Sequence, residues 1–128
     1  MDEVLGLSAA GQARLIRERK IGSTELIEAH LRRIERVNPR LNAVAELLAE
    51  MAMAEARAAD NGEARGALHG VPFTVKDSIE LAGTVCTAGT LGRRSAARSG
   101  ADATLVRRLR AAGAIPIGKT NLPDLKRR

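Results

Sequence analysis

Aromatic side chains are almost missing: Phe73 stands alone, and neither Trp nor Tyr occurs in the 128 residues. Large rings usually dominate cores and interfaces. The apolar mass must therefore come from Ala, Leu, Val and Ile, in a thin and finely packed core. Cys86 is the single cysteine, which excludes an internal disulfide and any disulfide-stapled scaffold. No run approaches the ~18 uninterrupted apolar residues of a membrane span, and Met1-Asp2-Glu3 lacks the basic start of a signal peptide. No membrane association is expected, and a reducing cytoplasm is the expected setting. Metal-ligand spacing is also missing, because His30 and His69 are far apart in sequence and Cys86 has no CxxC partner. No metal and no cofactor are expected.

What is present is an ordinary globular balance, 45% hydrophobic and 28% charged, at a length that suits one small domain over residues 1–128. The formal charge of +6 is unevenly spread: residues 1–92 carry net −2 and residues 93–128 carry net +8. The basic block comprises Arg93, Arg94, Arg98, Arg107, Arg108, Arg110, Lys119, Lys126, Arg127 and Arg128. Such a block attracts phosphates. Single-strand binders also use aromatic stacking platforms, and this block has none, so a solvated helix face and tail are preferred over nucleic-acid binding.

Periodicity gives the elements. Ser8 opens a helix that runs to Lys20 and stops at Ile21-Gly22. Ser23 is a candidate N-cap for a second helix, with Leu26, Ile27, His30, Leu31, Ile34 and Val37 at helical spacing and Asn38-Pro39 as its end. His30 reads as a partly buried helix histidine, since nothing nearby suggests a triad. Residues 41–61 fit either one long helix or a short strand, Leu41 to Ala45, before a helix starting near Glu50. Residues 68–77 read as a turn entering a strand, followed by a Gly/Thr-rich loop from Gly83 to Thr90. Asp102 is a candidate N-cap for a third helix, with an apolar stripe of Leu105, Val106, Leu109 and Ala112 and a terminal Gly113. Residues 114–118 read as a second strand. Strand, connection with helix, strand is a βαβ unit, which implies a parallel pair and an α/β class.

Lys76 is the candidate for chemistry. Alternation along the strand sends Thr74, Lys76 and Ser78 one way and Phe73, Val75 and Asp77 the other. A lysine at the end of an apolar strand can be partly desolvated, which frees its amine as a base able to activate a serine. Gly118-Lys119-Thr120 holds the last triplet of a phosphate loop without the upstream glycine, so no nucleotide site is expected. Cys86, with no base or helix N-terminus beside it, reads as a small packing or loop residue.

Residues 68–77, Leu-His-Gly-Val-Pro-Phe-Thr-Val-Lys-Asp, resemble the LxGVPxxVKD strand of the amidase signature family. Residues 102–114 are similar to that family's next helix, Thr87-Ala88-Gly89-Thr90 to its TxAGS loop with Thr in place of Ser, and residues 118–124 to its GKTN strand end. The resemblance spans about residues 7–125. It implies a fragment of a mixed α/β/α fold, N-terminal helices followed by the βαβ unit, and it favours the short strand at 41–46. It also implies hydrolysis of a carboxamide C–N bond by a Ser–cis-Ser–Lys triad, or glutamine-dependent ammonia release as in the A subunit of the glutamyl-tRNA amidotransferase. Lys76 then maps to the base. The two serines lie, in the family, in Gly/Ser-rich loops beyond the GKTN element. The serines here are Ser8, Ser23, Ser78, Ser95 and Ser99, none of them after Gly-Gly. The chain is therefore expected to hold only the base, to be truncated before the catalytic loops and inactive alone, and to need either a complementing polypeptide or self-association. A small-molecule amide is the expected substrate once completed; a non-catalytic scaffold or binding module is the alternative.

Overall fold

The computed structural model describes residues 1–84 and 100–121. Helices α1 (Asp2–Leu5), α2 (Ala9–Arg17) and α3 (Ser23–Leu41) lead into strand β1 (Val44–Leu47) and helix α4 (Ala49–Asn61). Strand β2 (Pro72–Lys76), helix α5 (Thr104–Ala111) and strand β3 (Ile115–Thr120) follow. The sheet order is β1-β3-β2. β2 lies parallel to β3, as the βαβ reading requires, and β1 lies antiparallel to it. The fold is a mixed α/β arrangement of helices around a small sheet.

Ser8 caps α2 by accepting the Gly11 N–H at 3.1 Å. Ser23 does not cap α3; it is the first helical residue, and its hydroxyl donates to the Gly70 carbonyl at 2.8 Å instead. α3 also runs past Asn38-Pro39 to Leu41. A proline disfavours helical backbone in the residue before it, but Asn38 is tied down from outside the helix. Its side-chain amide accepts from the Val44 N–H at 2.9 Å and donates to the Val44 carbonyl at 3.1 Å. Asn42 then turns left-handed and closes the last turn onto the Asn38 carbonyl. Residues 41–61 resolve into strand and helix, the strand lying at 44–47 rather than 41–45.

Two apolar layers cover opposite faces of the sheet. Ile115 and Ile117 of β3 pack with Ile27, Leu31, Ala52 and Ala56 of α3 and α4. Phe73, in register with Pro116, and Val75 pack on the other face with Leu81 and Val106. A third cluster joins Ala13 and Ile16 of α2 to Leu26 and Val71. The α3–α4 contact is mostly alanine, as the aromatic-poor composition demands. Asp102 lies just outside α5, whose N-cap is Ala103. Leu105 is 58% exposed, so the buried side of α5 is Val106, not the full stripe. An eight-residue helix meets only one layer, and Leu105, one residue before Val106, turns away from it.

Candidate active site

Lys76 is the last residue of β2, opposite Thr120 of β3. It is exposed, unlike its buried neighbours Val75 and Asp77. Strand alternation explains the split, because successive side chains leave on opposite faces. The partial desolvation expected of a strand-end lysine is not found among the described residues, and the amine has no hydrogen bond or ion pair there. Ser78 is not on the strand: the chain turns at Asp77, and Ile79 N–H closes the turn onto the Lys76 carbonyl at 2.9 Å. The shared face expected for Lys76 and Ser78 thus ends at the strand's last residue. Cys86, Ser95, Ser99 and residues 87–90 lie outside the described residues.

Behind the strand end lies a group that the sequence reading did not single out. Lys119 is fully buried. Its Nζ donates to the Ile79 carbonyl at 2.9 Å and to Thr84 Oγ1 at 3.4 Å, and stands 3.6 Å from Asp77 Oδ1. Thr84 passes its own proton to the Leu81 carbonyl at 2.7 Å, which leaves its oxygen able to accept. Asp77 N–H donates to the Thr120 carbonyl at 3.0 Å, so the end of β2 is pinned by backbone and side chain together. Burying an ammonium is costly unless it is paired and hydrogen-bonded; here it is both. A lysine directly after the apolar run Ile115-Pro116-Ile117-Gly118 was the available signal.

The basic block is divided by the fold. Lys119 is buried, and Arg110 is held by Glu55 at 3.2 Å and Asp102 at 3.7 Å. Among the described residues only Arg107 and Arg108 of that block remain exposed. Arg93, Arg94, Arg98, Lys126, Arg127 and Arg128 lie outside the described residues.

Both histidines are structural in their contacts. His69 is buried, its Nδ1 accepting the Arg65 N–H at 3.1 Å and its Nε2 facing the Ala59 carbonyl at 3.0 Å. His30 sits half-buried near Gln12; burial first, and the Arg33 charge second, hold its pKa below the ordinary value. Two clefts of about 380 Å³ each flank His69, one toward Arg17, Lys20 and Asp60, the other toward Glu55, Arg65 and Arg110. Lys76 lines neither. No group of three or more metal-ligating side chains occurs among the described residues, and no helix there is long and apolar enough to cross a membrane.

The Amidase family model matches residues 25–126. AmiB2 of Mycobacterium tuberculosis is 47% identical over 121 residues, covering 91% of this chain and 26% of that protein. Human fatty-acid amide hydrolase 2 is 37% identical over 135 residues, covering 97% of this chain and 25% of that enzyme. The structure superposes on the native peptide amidase of Stenotrophomonas maltophilia with a TM-score of 0.83 and 40% identity, covering 91% of this chain and 25% of that one. The chain thus spans about a quarter of the length of the relatives it matches. With the family model covering most of its residues, this chain belongs to the amidase signature family of amide hydrolases.

Proposed function

We propose that this chain supplies the base of a carboxamide-hydrolysing site, Lys76, and that the hydroxyl relay comes from polypeptide outside these 128 residues. In the Ser–cis-Ser–Lys scheme, the Lys76 amine takes a proton from a bridging serine, which takes one from the nucleophilic serine. The nucleophile's oxygen adds to the amide carbon, the amine leaves carrying a proton, and water releases the acid. One observation carries the reading: among the described residues the Lys76 amine projects from the end of β2 without a partner, while its neighbour Asp77 is turned away and stands 3.6 Å from Lys119. Among the described residues β1 and β2 each pair with β3 only, so each offers an open edge to a completing polypeptide. Peptide and fatty-acid amides, named for two relatives, bracket the substrate class as a carboxamide.

The test uses the chain alone and then completed. A fluorophosphonate probe read by intact mass should leave the isolated chain unlabelled, and a simple carboxamide should not be turned over. Co-expression with the remaining three quarters of a relative such as AmiB2 should restore turnover, and Lys76→Ala in that complex should lose it by a factor of about 10³ or more. Labelling of the isolated chain, or restored turnover indifferent to Lys76→Ala, overturns the proposal.

A further inference from the structure

We propose that the cleft between the end of α2 and the start of α3 binds the phosphate group of a small molecule, with Arg19 as its principal contact. The cleft holds about 380 Å³, at the small end of the range for ligand sites. Arg17, Arg19 and Lys20 line it from the end of α2, Glu25 from α3 and Asp60 from α4. The two carboxylates are already engaged. Asp60 accepts the Ser23 and Thr24 N–H groups, one on each oxygen, and Glu25 Oε1 accepts the Gly22 N–H at 3.4 Å. The three cations are held more loosely. Arg17 gives one N–H to the Ala67 carbonyl at 3.4 Å. Lys20 stands 3.3 Å from Glu18, but both side chains are exposed, and such a pair is worth little in water. Arg19 is exposed and has no side-chain partner among the described residues. Three cations against two engaged carboxylates favour an anion, and the guanidinium fork matches two oxygens of a phosphate.

The backbone supplies a second, independent observation. After α2 the Lys20 N–H reaches back to the Leu15 carbonyl at 2.9 Å and the Arg19 N–H to the Ile16 carbonyl at 3.0 Å. This closure of a helix end places residue 19 in the left-handed region, where glycine is the usual occupant. Arg19 has φ +57° there, a conformation that crowds any Cβ. Among the described residues only Asn42 shares such a backbone without being glycine, and asparagine tolerates it through local hydrogen bonds. Arginine has no such compensation. The helix dipole favours cations at this end, but Arg17 and Lys20 answer it without a left-handed backbone. Strain of this kind persists where function requires the side chain. Here it holds an unpartnered guanidinium at the wall of a cleft.

Arg19→Gly separates a ligand contact from a structural residue, because the two roles predict opposite results. The variant should raise the urea midpoint, since the left-handed position now holds its preferred residue. It should also weaken phosphate binding by about tenfold, the loss expected when a charged hydrogen-bonding partner is removed. The probe is inorganic pyrophosphate, followed through ¹⁵N–¹H amide shifts. In the unaltered chain the signals of residues 17–22 should move and saturate, while sodium chloride at equal ionic strength leaves them in place. Arg19→Gln keeps the strained backbone and removes the cation, so it should lose binding without the gain in stability. Arg108→Gln, which alters an exposed arginine of α5 outside the cleft, should bind as the unaltered chain does. Shifts that do not saturate, shifts that sodium chloride reproduces, or full affinity in Arg19→Gly or Arg19→Gln overturn the proposal. An equal loss in Arg108→Gln also overturns it, because the attraction would then belong to the overall charge of +6. Lys76 does not line this cleft, and no readout needs turnover, so the result is independent of the proposed amide chemistry.

Discussion

Asp60, at the end of α4, accepts the Ser23 N–H on Oδ1 at 2.6 Å from 37 residues away, and the Thr24 N–H on its other oxygen at 2.9 Å. A helix start leaves its first N–H groups without partners. In α3 those of Ser23 and Thr24 are satisfied by a carboxylate delivered from a packed neighbour, while the local Glu25 takes only the Gly22 N–H, at 3.4 Å.

Asp60→Ala should therefore cost what a lost N-cap costs, about 1 kcal/mol, read as a lower urea midpoint at unchanged slope. Partial burial pushes the Asp60 carboxyl up, but hydrogen bonds from Thr24 and Ser23 and the nearby His69 outweigh it, leaving the pKa below the ordinary 3.8. A depressed carboxylate adds stability that is complete above the unfolded value and is lost as pH falls through the folded one. Below about pH 4 the unaltered chain should lose stability more steeply than Asp60→Ala. Parallel curves there would remove Asp60 from the cap.

Gly113 closes α5 with φ +97°, and a Cβ on it would lie 2.6 Å from His69 Cα. Gly113→Ala meets both a left-handed backbone and a backbone clash, and no side-chain rotation relieves the second. The loss should exceed about 2 kcal/mol. Because Gly70 N–H bonds the Gly113 carbonyl at 2.9 Å, hydrogen exchange at Gly70 and Val71 should accelerate with it. Unchanged protection there would place the damage elsewhere.

The sequence carried the βαβ unit because its signals are local: alternation through Phe73 and Val75, helical spacing through Val106 and Leu109, and a glycine where the chain must turn left-handed. Lys76, the proposed base, was singled out through the resemblance of residues 68–77. Three features depended on partners outside their own element and were misread or missed. The hydroxyl of Ser23 is spent on Gly70, so the cap comes from Asp60. Pro39 does not stop α3 because Asn38 is held by Val44. Lys119 looked like part of a basic surface, and only the turn brought under it makes it a buried ion.

His30 ties burial to mild acid. Its pKa lies below 6.5, by burial first and the Arg33 charge second. Between its folded and unfolded values the unfolded chain binds the extra proton, so stability rises with pH there and is lost as pH falls below about 6.5. His30→Gln keeps a polar group facing Gln12 without titrating. Urea midpoints at pH 7.5 and 5.5 should differ less in that variant than in the unaltered chain. An equal drop in both would assign the loss to another group.

Glu55 has the opposite sign. Burial raises its carboxyl above the ordinary 4.5 and is the largest influence; the charges of Arg110 and Arg65 pull the other way without cancelling it. A carboxylate that is harder to ionise in the folded state favours folding most when protonated. Its contribution therefore falls as pH rises from about 4.5 through the folded value. Glu55→Gln leaves an oxygen for the Arg110 guanidinium, which keeps Asp102 as a second partner. At pH 7 the variant should be within about 0.5 kcal/mol of the unaltered chain or more stable, because it removes a desolvated charge. Above about pH 4.5 it should lack the decline assigned to Glu55. A loss above about 1 kcal/mol at pH 7 would mean that Arg110's attraction outweighs burial, reversing the sign argued here.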